Sequence, residues 1–345
     1  MLALFKNVAS LLGLGGRDAS GNDLGAYRLV RPLGQGGMGE VWLAVHRLLQ
    51  RPAAIKIVRP EMLAEAEQRE EWLRRFEREA RATALLESPH TVRLYEYGQA
   101  GSGTFYYAME LLEGIDLESF VERFGPMRPA RAVLVLAQAA ASLAEAHAAG
   151  LVHRDVKPGN LFLSRLGLEH DFVKVLDFGL VKGGDEQRDV RITAADMVVG
   201  TPGYMAPEAV SGKVELDARA DVYALGCVAY WLLTGTHVFG GADRTPLQVM
   251  LDHAHREPQP PSLRTEAPIP PALEALVMRC LEKDRERRPR DGADLLACLR
   301  QVARQLPAAW TEADAHRWWR RHLPELAAPH PRQASTVARR PIAAA

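Results

Sequence analysis

The chain has 345 residues, 47% of them hydrophobic and 25% charged. That is enough apolar material for two domains or one large bilobal unit, and it excludes a disordered chain. The 43 Lys and Arg balance 43 Asp and Glu, so net charge gives no argument for nucleic-acid binding and any anion must be handled by local arrangement. Cys227, Cys280 and Cys298 stand far apart in no metal-ligand spacing, which suits a reducing, cytosolic compartment.

In chain order, MLALFKNVASLLGLGG is apolar but short and lacks a small-residue cleavage site. It reads either as an amphipathic segment that touches a membrane or partner, or as a helix docked on the body or a frayed terminus. No run reaches the roughly 18 apolar residues that a membrane-spanning helix needs. After the Gly-rich stretch GGRDASGNDLG, the runs YRLVRPL, EVWLAV and AAIKIV alternate or run apolar between Gly and Pro breaks, as strands do.

Between the first two lies LGQGGMGEV, residues 33–41, in which Gly34, Gly36 and Gly39 fit GxGxxG. Missing side chains let backbone N–H groups approach phosphate oxygens. A dinucleotide-binding turn would lead into a helix, whereas EVWLAV reads as a strand. Lys56 in AAIKIV is costly to bury unless its ammonium meets an anion, and is otherwise an edge-strand lysine facing water.

Residues 61–86 change period to that of a charged amphipathic helix carrying Glu79, a candidate partner for Lys56. TVRLYEYG and TFYYAMELL are two further strands, followed by a hinge near Met109 to Gly114. From Leu117 onward the chain reads mostly helical. RAVLVLAQAAASLAEAHAAG stops at Gly150, DVYALGCVAYWLLTG is nearly all apolar, and PPALEALVMRCLEKD and GADLLACLRQVARQL complete the second lobe.

Three motif strings stand out, the charge-crowded HRDVKPGN at 153–160, then VLDFGL at 175–180 and GTPGYMAPE at 200–208. Charged groups crowded between apolar runs need partners. The order from glycine loop through strand Lys and helix Glu to these strings resembles the protein-kinase signature set, over about residues 27–300. The chain is similar to the eukaryotic-type (Hanks-type) serine/threonine kinases, most closely their bacterial members.

The resemblance implies an α+β, two-lobed fold: a β-rich N-lobe over 27–110 with one regulatory helix, and a helical C-lobe over 115–300. Residues 1–26 and 301–345 are then terminal extensions. It implies transfer of the ATP γ-phosphate to Ser and Thr hydroxyls of proteins, the chain itself included. Asp155 is the expected catalytic base, Lys157 the contact to the γ-phosphate, and Thr201 the hydroxyl that contacts the loop Asp and Lys. Asn160 and Asp177 are the expected ligands of Mg²⁺, with Mn²⁺ as an alternative.

The nucleotide is expected among Leu33, Gly34, Gln35, Gly36, Gly37, Met38 and Gly39 of the loop, with Val41 and Ala54 on one face of adenine and Phe162 on the other. Met109 stands at the gatekeeper position, Glu110 and Leu112 offer hinge backbone, and Lys56 holds the α- and β-phosphates with Glu79 fixing it. Glu208 and Arg288 are expected to form a buried brace, and Asp221 to anchor the catalytic loop. Arg154 and Lys182 would receive a phosphate on Thr193, with Asp196 supplying part of that charge. A scaffold without activity would be expected to lack some of Lys56, Asp155, Asn160 and Asp177, and all four stand.

Three features lie outside that set. WTEADAHRWWRRHL at 310–323 has helical spacing with paired Trp318 and Trp319, for docking on the larger lobe or on a partner. RQASTV at 332–337 carries Ser335 and Thr336 behind an Arg, as a phosphoacceptor, a pseudosubstrate or an incidental string. His253 and His255 form an HxH pair and read as surface residues. Protein substrates, ATP and a regulatory protein reached through the extensions are the expected partners, without nucleic acid or a membrane span, in the cytoplasm. The last fifteen or so residues read as disordered.

Overall fold

The computed structural model of the chain describes residues 23–36, 39–58, 80–99, 105–178, 201–212, 216–241 and 243–327. Strands β1 (Asp23–Leu24), β2 (Tyr27–Gly36), β3 (Gly39–His46), β4 (Pro52–Val58), β5 (Leu94–Gln99) and β6 (Phe105–Glu110) form one antiparallel sheet in the order β1-β2-β3-β4-β6-β5. β1 is absent from the sequence reading: two residues are too few for a period, and the pair is set by Gly25 turning at φ 58°. The sheet therefore begins at Asp23, ahead of the boundary expected at 26/27.

Register fixes what each face carries. Val41 pairs with Lys56 and Lys56 with Tyr107, while Leu43 pairs with Ala54 and Ala54 with Met109. Paired residues and their i+2 neighbours share a face, so Lys56 points the same way as Ala54, Met109 and Tyr107. On the opposite face Ala44, Ala53, Ile55, Tyr106 and Ala108 close over Leu24 and Tyr27 in a second small core.

A three-residue link, 111–113, leads to β7 (Gly114–Asp116), which joins β8 (Leu161–Leu166) and β9 (Glu169–Val175) in a second sheet. The larger lobe is built from α1 (Leu117–Phe124), α2 (Pro129–Ala148), α3 (Pro207–Ser211), α4 (Ala218–Thr234), α5 (Pro246–His255), α6 (Pro271–Cys280), α7 (Gly292–Gln305), α8 (Glu312–His322) and α9 (Pro324–Ala327). α4 is capped by Asp217, which accepts from Arg219 N, and ends in a left-handed Gly235. Its near-continuous apolar run is buried on almost every side against α2 and α6. The helix expected over 131–150 starts two residues earlier, at Pro129, and stops before Gly150 as expected.

One reading is corrected. His253 is fully buried, its Nδ1 2.9 Å from Tyr223 Oη and its ring edge-on to Phe239, while His255 is exposed. α5 turns His253 inward on the face of Met250, three residues back. Among the described residues no helix is long and apolar enough to cross a membrane.

Candidate active site

The cleft between the lobes is lined by Leu33, Val41, Ala54, Met109, Glu110, Leu112, Asn160, Phe162 and Asp177, all singled out in the sequence. Val92, Leu111, Ile115 and Leu176 extend its apolar wall, and Asp116, Ser119 and Arg123 form a polar rim. A mostly apolar slot with a few polar groups at one end suits a flat heteroaromatic ring with a charged tail. Gly34, Gly36 and Gly39 lie on the paired ends of β2 and β3, where Gly36 opposes Gly39, and Gln35 opposes Glu40. Gly37 and Met38 lie outside the described residues, as do Glu79, Lys182, Thr193 and Asp196.

Lys56 is 9% exposed, which settles its choice between edge and interior. Its Nζ donates to Asp177 Oδ2 at 2.7 Å. Tyr107 Oη donates to Asp177 Oδ1 at 2.6 Å. Burial alone would raise the Asp177 carboxyl, but the Lys56 charge and the two hydrogen bonds outweigh it and hold it below its ordinary value. Burial, then the Asp177 charge, pushes the Tyr107 phenol well above its own. Asp177 sits at φ 54°, a left-handed conformation that costs a non-glycine residue on the order of 1 kcal/mol. Both carboxylate oxygens are held from the sheet above.

Below, the loop 151–160 is pinned from beneath. Asp221 Oδ2 accepts from His153 N at 2.7 Å and Oδ1 from Arg154 N at 2.9 Å. Gly292 N donates to His147 Nδ1 at 3.0 Å, so the ring proton stands on Nε2 and is donated to Asp221 Oδ2 at 2.9 Å. Burial would raise Asp221, but His147 and His153 more than offset it and the carboxyl stays below its usual range. His153 Nε2 donates to Leu176 O at 2.8 Å, and Leu176 N donates to Asn160 O at 2.9 Å. These two bonds clip the strand end before Asp177 to the loop that carries Asp155.

Asp155 Oδ2 lies 3.0 Å from Lys157 Nζ and accepts from Asn160 Nδ2 at 3.0 Å. Lys157 Nζ also donates to Thr201 Oγ1 at 3.2 Å, bringing the third string to the first. Asn160 Nδ2 donates in addition to the Asp155 carbonyl at 2.8 Å. With its amide N–H₂ group so engaged, Asn160 offers its oxygen. That oxygen and the Asp177 carboxylate are hard donors in one cleft, which fits a hard divalent cation. Lys174 and Glu110, paired at 2.7 Å, brace the hinge from behind.

Glu208 and Arg288 form the expected brace. Arg288 NH1 and NH2 donate to the two Glu208 oxygens at 2.7 and 2.9 Å, and the remaining bonds go to the carbonyls of Glu282, Arg219 and Lys283. All five guanidinium hydrogens are thereby used.

Tyr107 is the functional neighbour that the sequence reading passed over. The signal was present: it stands two residues before Met109 on a strand, hence on the cleft face. The tail helix resolves its own question. Trp319 is fully buried and donates to Asp171 Oδ1 at 2.7 Å, so α8 docks on the larger lobe.

The protein kinase domain model matches residues 27–300. The chain is 37% identical over 281 residues to serine/threonine-protein kinase pkn3 of Myxococcus xanthus, covering 81% of this chain and 50% of that one. It is 37% identical over 296 residues to serine/threonine-protein kinase PknB of Mycolicibacterium smegmatis, covering 84% and 45%. The crystal structure of the M. tuberculosis PknI kinase domain superposes with a TM-score of 0.61 at 27% identity, over 84% of this chain and 100% of that one. The chain spans about half the length of the curated relatives it matches.

Proposed function

The chain belongs to the protein kinase domain family, and from that premise we propose that it is a serine/threonine protein kinase of the bacterial Hanks type that moves the ATP γ-phosphate to Ser and Thr hydroxyls, its own included. The observation that carries this reading is the Asp155 carboxylate held by Lys157 and Asn160 at 3.0 Å each, where Asn160 also lines the cleft that holds Asp177.

Asp155 accepts the proton of the attacking hydroxyl, and its two partners on Oδ2 fix the plane from which it does so. Lys157, which bridges Asp155 and Thr201, meets the γ-phosphate in this reading. Lys56 holds the α- and β-phosphates, exchanging Asp177 for them. Val41, Ala54 and Phe162 enclose the adenine, and the backbone of Glu110 and Leu112 reads its edge. Mg²⁺, or Mn²⁺ in its place, would be held by Asn160 and Asp177 and would supply neutralisation of phosphate charge. Phosphoryl transfer asks mainly for such positioning and charge balance.

Thr193 is the proposed autophosphorylation site, with Arg154 and Lys182 as its receptors and Asp196 giving partial activity before phosphate arrives. Protein substrates, a regulatory partner at the terminal extensions and a cytoplasmic setting complete the reading.

The test is the purified chain with Mg²⁺-ATP, sites mapped by mass spectrometry, beside Asp155→Asn. Phosphate on Thr193 that falls by about 10²- to 10⁴-fold in the variant, with ATP binding retained, is the expected result. Equal incorporation in both proteins would remove Asp155 from the chemistry. Complete loss of activity in Thr193→Ala would remove the role given to Asp196.

A further inference from the structure

Lys56 has two claims on it. In the structure its ammonium holds Asp177 Oδ2, and in the proposed reaction it holds phosphate oxygens. When it changes partner, Asp177 loses one of its two fixed hydrogen bonds at the moment a cation must be met. The other bond comes from Tyr107, on the strand next to Lys56 and directly opposite it in register.

Tyr107 is 1% exposed, so its ring has one position, and its hydroxyl reaches Oδ1 at 2.6 Å from the sheet side. A phenol is a neutral donor and adds no positive charge to compete with a metal. Each carboxylate oxygen has two lone pairs, so one hydrogen bond leaves Oδ1 able to ligate.

We propose that Tyr107 is a positioning residue for the metal-binding carboxylate: it holds Asp177 in one orientation while Lys56 passes from Asp177 to the nucleotide. This rests on the kinase reading for the role of Asp177. It assigns to a strand residue outside the signature motifs a part in metal affinity rather than in packing alone.

Tyr107→Phe removes one oxygen and keeps the buried ring. Binding of a non-hydrolysable ATP analogue to the full chain is measured in EDTA and across a Mg²⁺ titration, with Asp177→Asn as comparator and thermal unfolding as a check of the fold. The expected result is unchanged affinity in EDTA and a half-saturating Mg²⁺ concentration raised about three- to tenfold, the loss of one hydrogen bond to a charged group partly made up by water. An unchanged or lowered Mg²⁺ requirement in Tyr107→Phe, while the parent shows a clear one, overturns the proposal alone. Equal weakening with and without metal overturns it too, by assigning Tyr107 to pocket shape. No Mg²⁺ dependence in the parent chain, or one that survives in Asp177→Asn, overturns the metal role of Asp177 itself and the proposal with it.

Discussion

His253 shows how far one buried side chain can depart from its residue type. Lys283 Nζ donates to the His253 carbonyl at 2.8 Å and to Tyr223 Oη at 3.3 Å, and that hydroxyl lies 2.9 Å from His253 Nδ1. Burial, then the Lys283 charge, lowers the pKa of the ring to about 3. An unfolded histidine titrates near 6.5. The folded value is depressed, so between these limits the unfolded chain binds a proton that the folded one refuses. The stability from the neutral ring is complete above about pH 6.5 and is lost as pH falls toward 3. At pH 5 the loss is on the order of 2 kcal/mol. His253→Gln is expected to be less stable than the parent at pH 7 and to lose less between pH 7 and pH 5, read by urea unfolding at both. His90 and His237, also lowered by burial, are common to both proteins and cancel in the comparison. Parallel losses in the two proteins would refute the assignment.

At the scale of an element, α8 is tied to the β8–β9 hairpin through a buried charge. Asp171 is fully buried and accepts from Arg131 Nε at 2.9 Å and NH2 at 2.6 Å, from Trp310 Nε1 at 2.8 Å and from Trp319 Nε1 at 2.7 Å. Arg131 in turn lies 4.0 Å from the ring centre of Trp318. The helix lies beyond the matched domain but packs on the strand that leads to Asp177. Trp319→Ala is expected to cost about 3–5 kcal/mol, as for other buried large aromatics, and to leave Asp171 with one hydrogen bond fewer. Half-buried Trp318→Ala should cost clearly less. Chemical denaturation decides, and equal small losses would mean that α8 is only laid on the surface. The sequence announced this helix by its spacing but left its partner open, because Asp171 is 148 residues away from Trp319 and no local pattern joins them. The same divide runs through the whole site. HRDVKPGN, VLDFGL and the strand lysine were legible because the chemistry demands those types in that order. The Lys56–Asp177 pair and Tyr107 were not, because register across strands decides them. His253 was misread because a two-histidine string carries no sign of which helix face is inward.

At the scale of the whole molecule, two backbone segments among the described residues link the lobes. The link 111–113 is the covalent hinge. The second joint is the segment 87–92, which precedes β5 in sequence yet bonds to the larger lobe. Glu145 of α2 accepts from Glu87 N and Ser88 N at 2.7 Å each, and Thr91 Oγ1 lies 2.7 Å from Ser142 Oγ. His90 Nδ1 donates to Val173 O at 3.0 Å, and Val92 N and His90 O pair with Val175 across 3.0 and 2.7 Å. A closing motion that brings the glycine loop toward Asp155 must therefore bend on both sides of 87–92 and leave that segment fixed to α2. The carboxylate of Glu145 holds the backbone just after the helical residues 80–84. Glu145→Ala leaves two backbone N–H groups to find water, at a cost of about 1–2 kcal/mol. If the segment opens as its own unit, that cost appears there first. Amide exchange at residues 87–92 is then expected to rise about tenfold, the equivalent of about 1.4 kcal/mol, while the amides of α4 keep their rates. Faster exchange in α4 by the same factor would show instead that the two joints and the helical core open together, and that the second joint is no pivot.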